Sequence, residues 1–183
     1  MYHRFTAAVA LACLFAAAPA AAQALQPADS AGAYVPAQAL SVLPLHAAIG
    51  FYAGDYERAM SQTVTAGVGG SYFSLEDDGE EIGYASLEGK VRYYPSGDVL
   101  NGLSFGVTVG PTFLSETSDA GVDEEITVLG VGFEIARSHL MGIDRRFYYG
   151  YGAGFKRLFV MSGGESGAEL ALPTLRLSIG YAF

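Results

Sequence analysis

The sequence predicts an all-β chain that folds as an eight-stranded, antiparallel, up-and-down transmembrane β-barrel. Three observations lead to this prediction. Long segments alternate between apolar and polar positions, which is the period of a β-strand with one face in an apolar environment. Hydrophobic residues make up 51% of the chain, yet after the first 22 residues no apolar run could form a membrane helix. Charged residues account for only 16%, below the roughly 25% of an ordinary soluble domain.

The N-terminus, Met1 to Ala22, has the pattern of a secretory signal peptide. A basic start precedes a short apolar run and an alanine-rich cleavage region. A membrane-anchoring helix is the alternative, but Pro19 interrupts the run. The single cysteine, Cys13, lies in this segment, so the exported chain is expected to have no disulfide. Residues 23–40 are predicted to be a flexible periplasmic lead-in, and residues 41–183 the barrel.

Strand candidates fill the rest of the chain, and the connections between them alternate between short turns and longer acidic loops, as in outer-membrane barrels. If the C-terminus is periplasmic, the first long strand runs upward, so a strand just before it must come down, and a periplasmic N-terminus requires one more strand that goes up first. These are predicted over Ser41 to Ile49 and Tyr52 to Met60, with a tight turn near Gly50-Phe51. The six long strands are predicted over Thr63 to Leu75, Ile82 to Tyr94, Leu103 to Ser115, Ile126 to Ser138, Phe147 to Val160 and Glu169 to Phe183.

The two faces of these strands differ in size as well as polarity. In the strand from Leu103, bulky residues such as Phe105 and Val107 alternate with Gly106 and Thr108. A soluble barrel or sandwich would place the bulky face inside, but the apolar faces of eight strands would not fit in one small core. The bulky apolar face is therefore predicted to point outward.

The inward face then carries as many bases as acids. An unpaired buried charge costs several kcal/mol, so a matched set indicates an ion-pair network that plugs the lumen. Inward glycines would leave room for the long Lys and Arg side chains. The predicted network consists of Asp55, Glu57, Glu88, Lys90, Arg92, Glu134, Lys156 and Arg176.

Aromatic residues cluster near the predicted strand ends. Transmembrane barrels place such residues at both membrane interfaces, in aromatic girdles. The predicted girdle residues are Tyr72, Phe73, Tyr93, Tyr94, Phe147, Tyr149, Phe159 and Tyr181.

The last strand alternates strictly to the terminal residue and ends with Ile179, Tyr181 and Phe183 on its apolar face. From Ser41 to Phe183 the residues resemble the small eight-stranded outer-membrane barrels of Gram-negative bacteria, OmpA/OmpX-like in size. The stretch Asp55 to Ala59 resembles the opening hairpin of barrel domains of uncharacterised function in that group. The resemblance implies that the barrel-assembly machinery recognises the terminal aromatic pattern during biogenesis. It implies little about activity, because the group includes adhesins, structural proteins and a few lipid-modifying enzymes.

Enzymatic activity is not expected. The exported chain has two histidines, His46 and His139. Ser138 and His139 are adjacent and would point to opposite faces of a strand, so they cannot form a nucleophile–base pair. His139 is also predicted to lie at a periplasmic turn, and His46 to be an inward polar filler.

The predicted outward loops are acidic and contain no lysine or arginine. Divalent cations that bridge to lipopolysaccharide phosphates are one explanation. A solvated acidic rim is favoured, because no spacing matches a calcium loop. No metal or other cofactor is therefore expected. The net charge of −9 argues against a nucleic-acid partner.

The sequence thus predicts an exported, monomeric protein of the outer membrane, in contact with its lipid and lipopolysaccharide, with a structural or surface-interaction role. The alternative is a narrow channel or a barrel that binds a small ligand. Eight strands enclose little more than their own side chains, which argues against an open pore.

Overall fold

The computed structural model describes residues 35–77, 80–117, 123–160 and 170–183. The predicted signal peptide and most of the predicted lead-in lie outside these residues. Within them, no helix is long and apolar enough to cross a membrane. The elements are β1 (Gln38–Val42), α1 (Pro44–Ala47), β2 (Phe51–Ala59), β3 (Val64–Asp77), β4 (Glu80–Tyr93), β5 (Gly102–Thr117), β6 (Asp123–Met141), β7 (Phe147–Val160) and β8 (Leu170–Ala182).

The eight strands pair in chain order, and β1 pairs with β8 to close the barrel. All eight pairings are antiparallel, which confirms the predicted fold class. At the closing seam Ala39 to Val42 face Ala182 to Ile179. The terminal residue extends this seam, because the Phe183 N–H donates to the Gln38 carbonyl at 2.8 Å and the Phe183 carbonyl accepts from the Gln38 N–H at 2.9 Å.

The barrel has two different ends. We call the end with the C-terminus the lower end, and the end that carries α1 the upper end. At the lower end, the turn between β4 and β5 places Leu100 at the opening of the lumen, and its side chain is fully buried. Leu100 adopts a left-handed backbone with φ 63°. It forms an apolar cluster with Ala39, Tyr148 and Ala182, which packs the lower end of the lumen.

The outer face is apolar and the inner face polar or small, as predicted. On β5, Val107 is 52% exposed, whereas Thr108 beside it is 9% exposed. On β8, Leu175 and Ile179 are exposed and Ser178 is buried. This distribution is the reverse of the one that a water-soluble barrel requires.

The predicted first strand, Ser41 to Ile49, is wrong in its bounds. β1 begins at Gln38 and ends at Val42. Pro44 then opens α1, because a proline has no N–H to continue a ladder but fits the first turn of a helix. The predicted turn before β2 is present, and Gly50 supplies its positive φ of 79°.

Two of the predicted girdle residues point into the barrel. Phe73 contacts Phe51 with ring centroids 6.2 Å apart, and Tyr94 is fully buried. Strand alternation explains both positions, because Phe73 shares its face with buried Thr65 and Tyr94 shares its face with Arg92. The other six alternate onto the outer face, and their role as a girdle remains a prediction.

Candidate functional site

All eight charged residues predicted for the lumen lie inside the barrel. Each makes an ion pair with another member of the set, and the pairs fall into three groups. The residues come from five strands: Asp55 and Glu57 from β2, Glu88, Lys90 and Arg92 from β4, Glu134 from β6, Lys156 from β7 and Arg176 from β8.

The lowest group is centred on Arg92, whose side chain is 1% exposed. Its Nη1 pairs with Glu57 Oε2, and its Nε lies 2.5 Å from Glu134 Oε1. Glu57 Oε1 also accepts hydrogen bonds from Thr65 Oγ1 at 2.6 Å and from the Tyr94 hydroxyl at 2.8 Å. Burial, together with the Glu57 carboxylate, raises the pKa of Tyr94 well above its ordinary value, so the phenol remains a donor.

The middle group places two cations on one carboxylate. Lys90 Nζ lies 2.5 Å from Asp55 Oδ1, and Arg176 Nη1 lies 2.6 Å from Asp55 Oδ2. The three side chains are between 7% and 9% exposed. Arg176 Nη2 is buried without a hydrogen-bond partner. This group therefore holds one more positive than negative charge and one unused donor.

The third group joins β4 to β7 across the lumen. Lys156 Nζ lies 2.5 Å from Glu88 Oε1 and donates to Thr112 Oγ1 at 3.0 Å and to the Tyr84 hydroxyl at 3.3 Å. The ammonium therefore has three acceptors, two on β4 and one on β5. Since the lowest group has a surplus acid and the middle group a surplus base, the eight charges balance.

Inward glycines provide the space for these side chains, as predicted. A Cβ on Gly106 would lie 2.8 Å from Glu134 Cγ and 3.2 Å from Arg92 Cγ, and both distances are too short for ordinary contact. A Cβ on Gly69 would lie 2.5 Å from Asp55 Oδ1. The inward glycines of β3 and β5 thus leave the space that the charged side chains of β2, β4 and β6 occupy.

An open cavity of about 470 Å³ occupies the upper lumen above these charges. Its floor includes Asp55, Lys90 and Arg176, and its wall includes the aromatic rings of Phe51 and Phe73. Arg92, by contrast, does not line it. The lumen therefore has a packed lower part and a hollow upper part.

The remaining candidates do not form a site in the described part of the chain. Ser138 is buried on the inner face, and His139 stacks on Tyr149 with ring centroids 4.8 Å apart. The two lie on opposite faces, as expected, but His139 belongs to β6, which continues to Met141, and not to the turn. The His46 side chain and most of the acidic loops are outside the described residues. Among those described, no group of His, Cys, Asp and Glu could hold a metal ion.

Ile179, Tyr181 and Phe183 point outward at the seam, and their side chains are between 39% and 48% exposed. The Tyr181 hydroxyl accepts a hydrogen bond from Arg146 Nη1 at 2.7 Å. The Tyr181 and Phe183 rings stack 6.3 Å apart. The terminal pattern is thus an accessible apolar stripe in the folded barrel.

Sequence reasoning missed the neutral partners of the charges. Tyr94 and Thr65 donate hydrogen bonds to the Glu57 carboxylate, and Thr112 accepts one from the Lys156 ammonium. Strand parity could have found Tyr94, because it continues the inner-face series of Lys90 and Arg92.

No family model matches the sequence, and no curated protein matches it either. Among solved structures, the chain is similar to the N-terminal β-barrel domain of Pseudomonas aeruginosa OprF. The two share 15% sequence identity, and the alignment covers 81% of this chain and 98% of that one with a TM-score of 0.50. At this identity the similarity is evidence for the fold alone.

Proposed function

We propose that this chain is an outer-membrane β-barrel protein with a structural or surface-interaction role, whose lumen is plugged by the ion-pair network. The observation that carries the membrane placement is the continuous apolar outer face. Bulky side chains such as Val91, Val109 and Ile135 are about half exposed around the wall, and membrane lipid would cover them. The N-terminal signal pattern supports export.

The plug rests on the packing of the lower lumen. Leu100 and Tyr94 are fully buried, Arg92 nearly so, and the charges around them are paired. A permeant ion would have to displace charged side chains that are already paired with one another. A narrow channel is therefore the weaker candidate.

The proposed partners follow from this placement. Outer-membrane lipid and lipopolysaccharide would contact the outer face. The barrel-assembly machinery would recognise the apolar stripe of Ile179, Tyr181 and Phe183. The barrel closes on its own strands, so a monomer is sufficient. We propose no enzymatic activity and no cofactor.

Conductance across a planar bilayer tests the plug. We expect the purified protein to insert without a steady unitary conductance, because side chains fill the lower lumen. The matched variants are Arg92→Ala inside and Arg137→Ala on the exposed outer face. A steady conductance of the unmodified protein that changes with Arg92→Ala or Glu134→Ala, and not with Arg137→Ala, would show that ions pass beside the network.

A further inference from the structure

The barrel wall is incomplete on one side of its upper end. β1 ends at Val42, where it faces Ile179, and the chain then turns into α1. β8 continues upward from that point to Leu170. In the described part of the chain, this upper segment of β8 pairs with β7 only. We call the gap between upper β8 and the top of β2 the notch.

The composition of upper β8 agrees with an unpaired edge. Pro173 lies in this segment, and a proline within a sheet is tolerated on an edge because it has no N–H to donate. Thr174 belongs to the inner face by alternation, yet it is exposed. α1 packs against both β2 and β8 and so borders the notch.

The upper cavity reaches the notch. Five consecutive residues of β8, Leu172 to Arg176, line the cavity. They belong to the segment of β8 that has no paired strand on its other side, and Leu172, Thr174 and Leu175 are exposed there. The unpaired edge of β8 therefore bounds the upper cavity on the side of the notch.

The cavity has two chemically different parts. Leu43, Phe51, Phe73 and Leu172 give it an apolar wall. Its floor carries Arg176, whose side chain is 9% exposed and whose Nη2 has no hydrogen-bond partner. Arg176 and Lys90 share the single carboxylate of Asp55, so an anion beside Arg176 would give these two cations a second negative partner.

We propose that the upper cavity binds a long-chain carboxylate amphiphile, such as a free fatty acid, which enters from the membrane through the notch. The carboxylate pairs with the Arg176 guanidinium at the floor of the cavity, where Nη2 has no partner within the protein, and the alkyl chain lies against the aromatic and leucine wall. A volume of about 470 Å³ is within the usual range for a small-molecule site. This inference rests on the proposed membrane placement, since the notch then opens toward lipid.

Tryptophan quenching tests the site, because the chain contains no tryptophan of its own. Phe73→Trp places a reporter in the cavity, and Phe105→Trp places a control on the lipid-facing side of β5. The probe is 9,10-dibromostearic acid in phosphatidylcholine vesicles, with its methyl ester as the probe that lacks the charge. We expect the acid to quench the Phe73→Trp reporter saturably, at concentrations at least about tenfold below those the ester requires.

Two variants in the Phe73→Trp background test the head-group contact and the route. Arg176→Lys keeps the charge but removes the second guanidinium donor, and we expect it to raise the half-quenching concentration by about tenfold. Thr174→Phe should slow the onset of quenching, whereas Ala171→Phe, on the same strand but outside the cavity lining, should not.

The site is wrong if acid and ester quench alike, or if quenching of the Phe73→Trp reporter follows that of the Phe105→Trp control. An unchanged rate with Thr174→Phe would overturn entry through the notch. Heat-dependent gel mobility of the same samples separates this inference from the proposed function. A folded, inserted barrel that does not bind overturns the ligand site alone, and a chain that does not insert overturns both.

Discussion

Replacement of Arg92 by methionine is expected to lower the free energy of unfolding by about 3–5 kcal/mol. Arg92 is almost fully buried and is the cation that pairs with both Glu57 and Glu134. Methionine keeps much of the volume but leaves two carboxylates in the lumen without their counter-ion. Urea unfolding of the barrel in lipid vesicles, followed by circular dichroism, measures the change.

Two controls separate the charge from the packing. Arg137→Met changes the same residue type on the exposed outer face and should leave stability little altered. The triple variant Arg92→Met, Glu57→Gln, Glu134→Gln removes the whole lowest group of charges, and we expect it to recover most of the loss. If the single and triple variants lose equal stability, the network contributes through shape and not through charge.

Arginine in place of Val107 is expected to destabilise the barrel by about 2–4 kcal/mol in a bilayer. Val107 is 52% exposed on the outer face, between inward-facing Gly106 and Thr108 in the middle part of β5. If that face contacts the hydrocarbon core of the bilayer, the guanidinium must either remain in hydrocarbon or distort the bilayer to reach water. The same vesicle-based unfolding measurement reports the cost.

The matched control is Ile143→Arg, in the turn between β6 and β7, where the side chain is fully exposed. This variant should fold as the unmodified protein does, because the turn lies at the lower end and not on the lipid-facing wall. Equal stability of Val107→Arg and the unmodified protein would mean that the outer face is in water.

Strand alternation made the barrel and the contents of its lumen predictable. A strand places successive side chains on opposite faces, so the small and charged series through Lys90 and Arg92 fixed which face is inside. The short first strand was not predictable in the same way. The apolar residues after Val42 resemble a continued strand, and only Pro44 indicates that α1 begins there.

The partners within the network also could not be read from the sequence. Arg92 and Glu134 lie on β4 and β6, which are not neighbours, and they meet only because the lumen is narrow enough for side chains to cross it. Which acid meets which base depends on strand stagger and side-chain length. The notch likewise depends on where β1 ends relative to β8, a relation between two distant segments.

Gel mobility of the outer-membrane fraction, with and without boiling, is the most direct test of the central claim that this chain is a closed membrane barrel. A closed barrel resists detergent unfolding at room temperature and migrates as a compact species. We expect the protein in the outer-membrane fraction and a shift in its mobility on boiling. Recovery in the soluble periplasmic fraction, with no shift, would contradict the membrane placement.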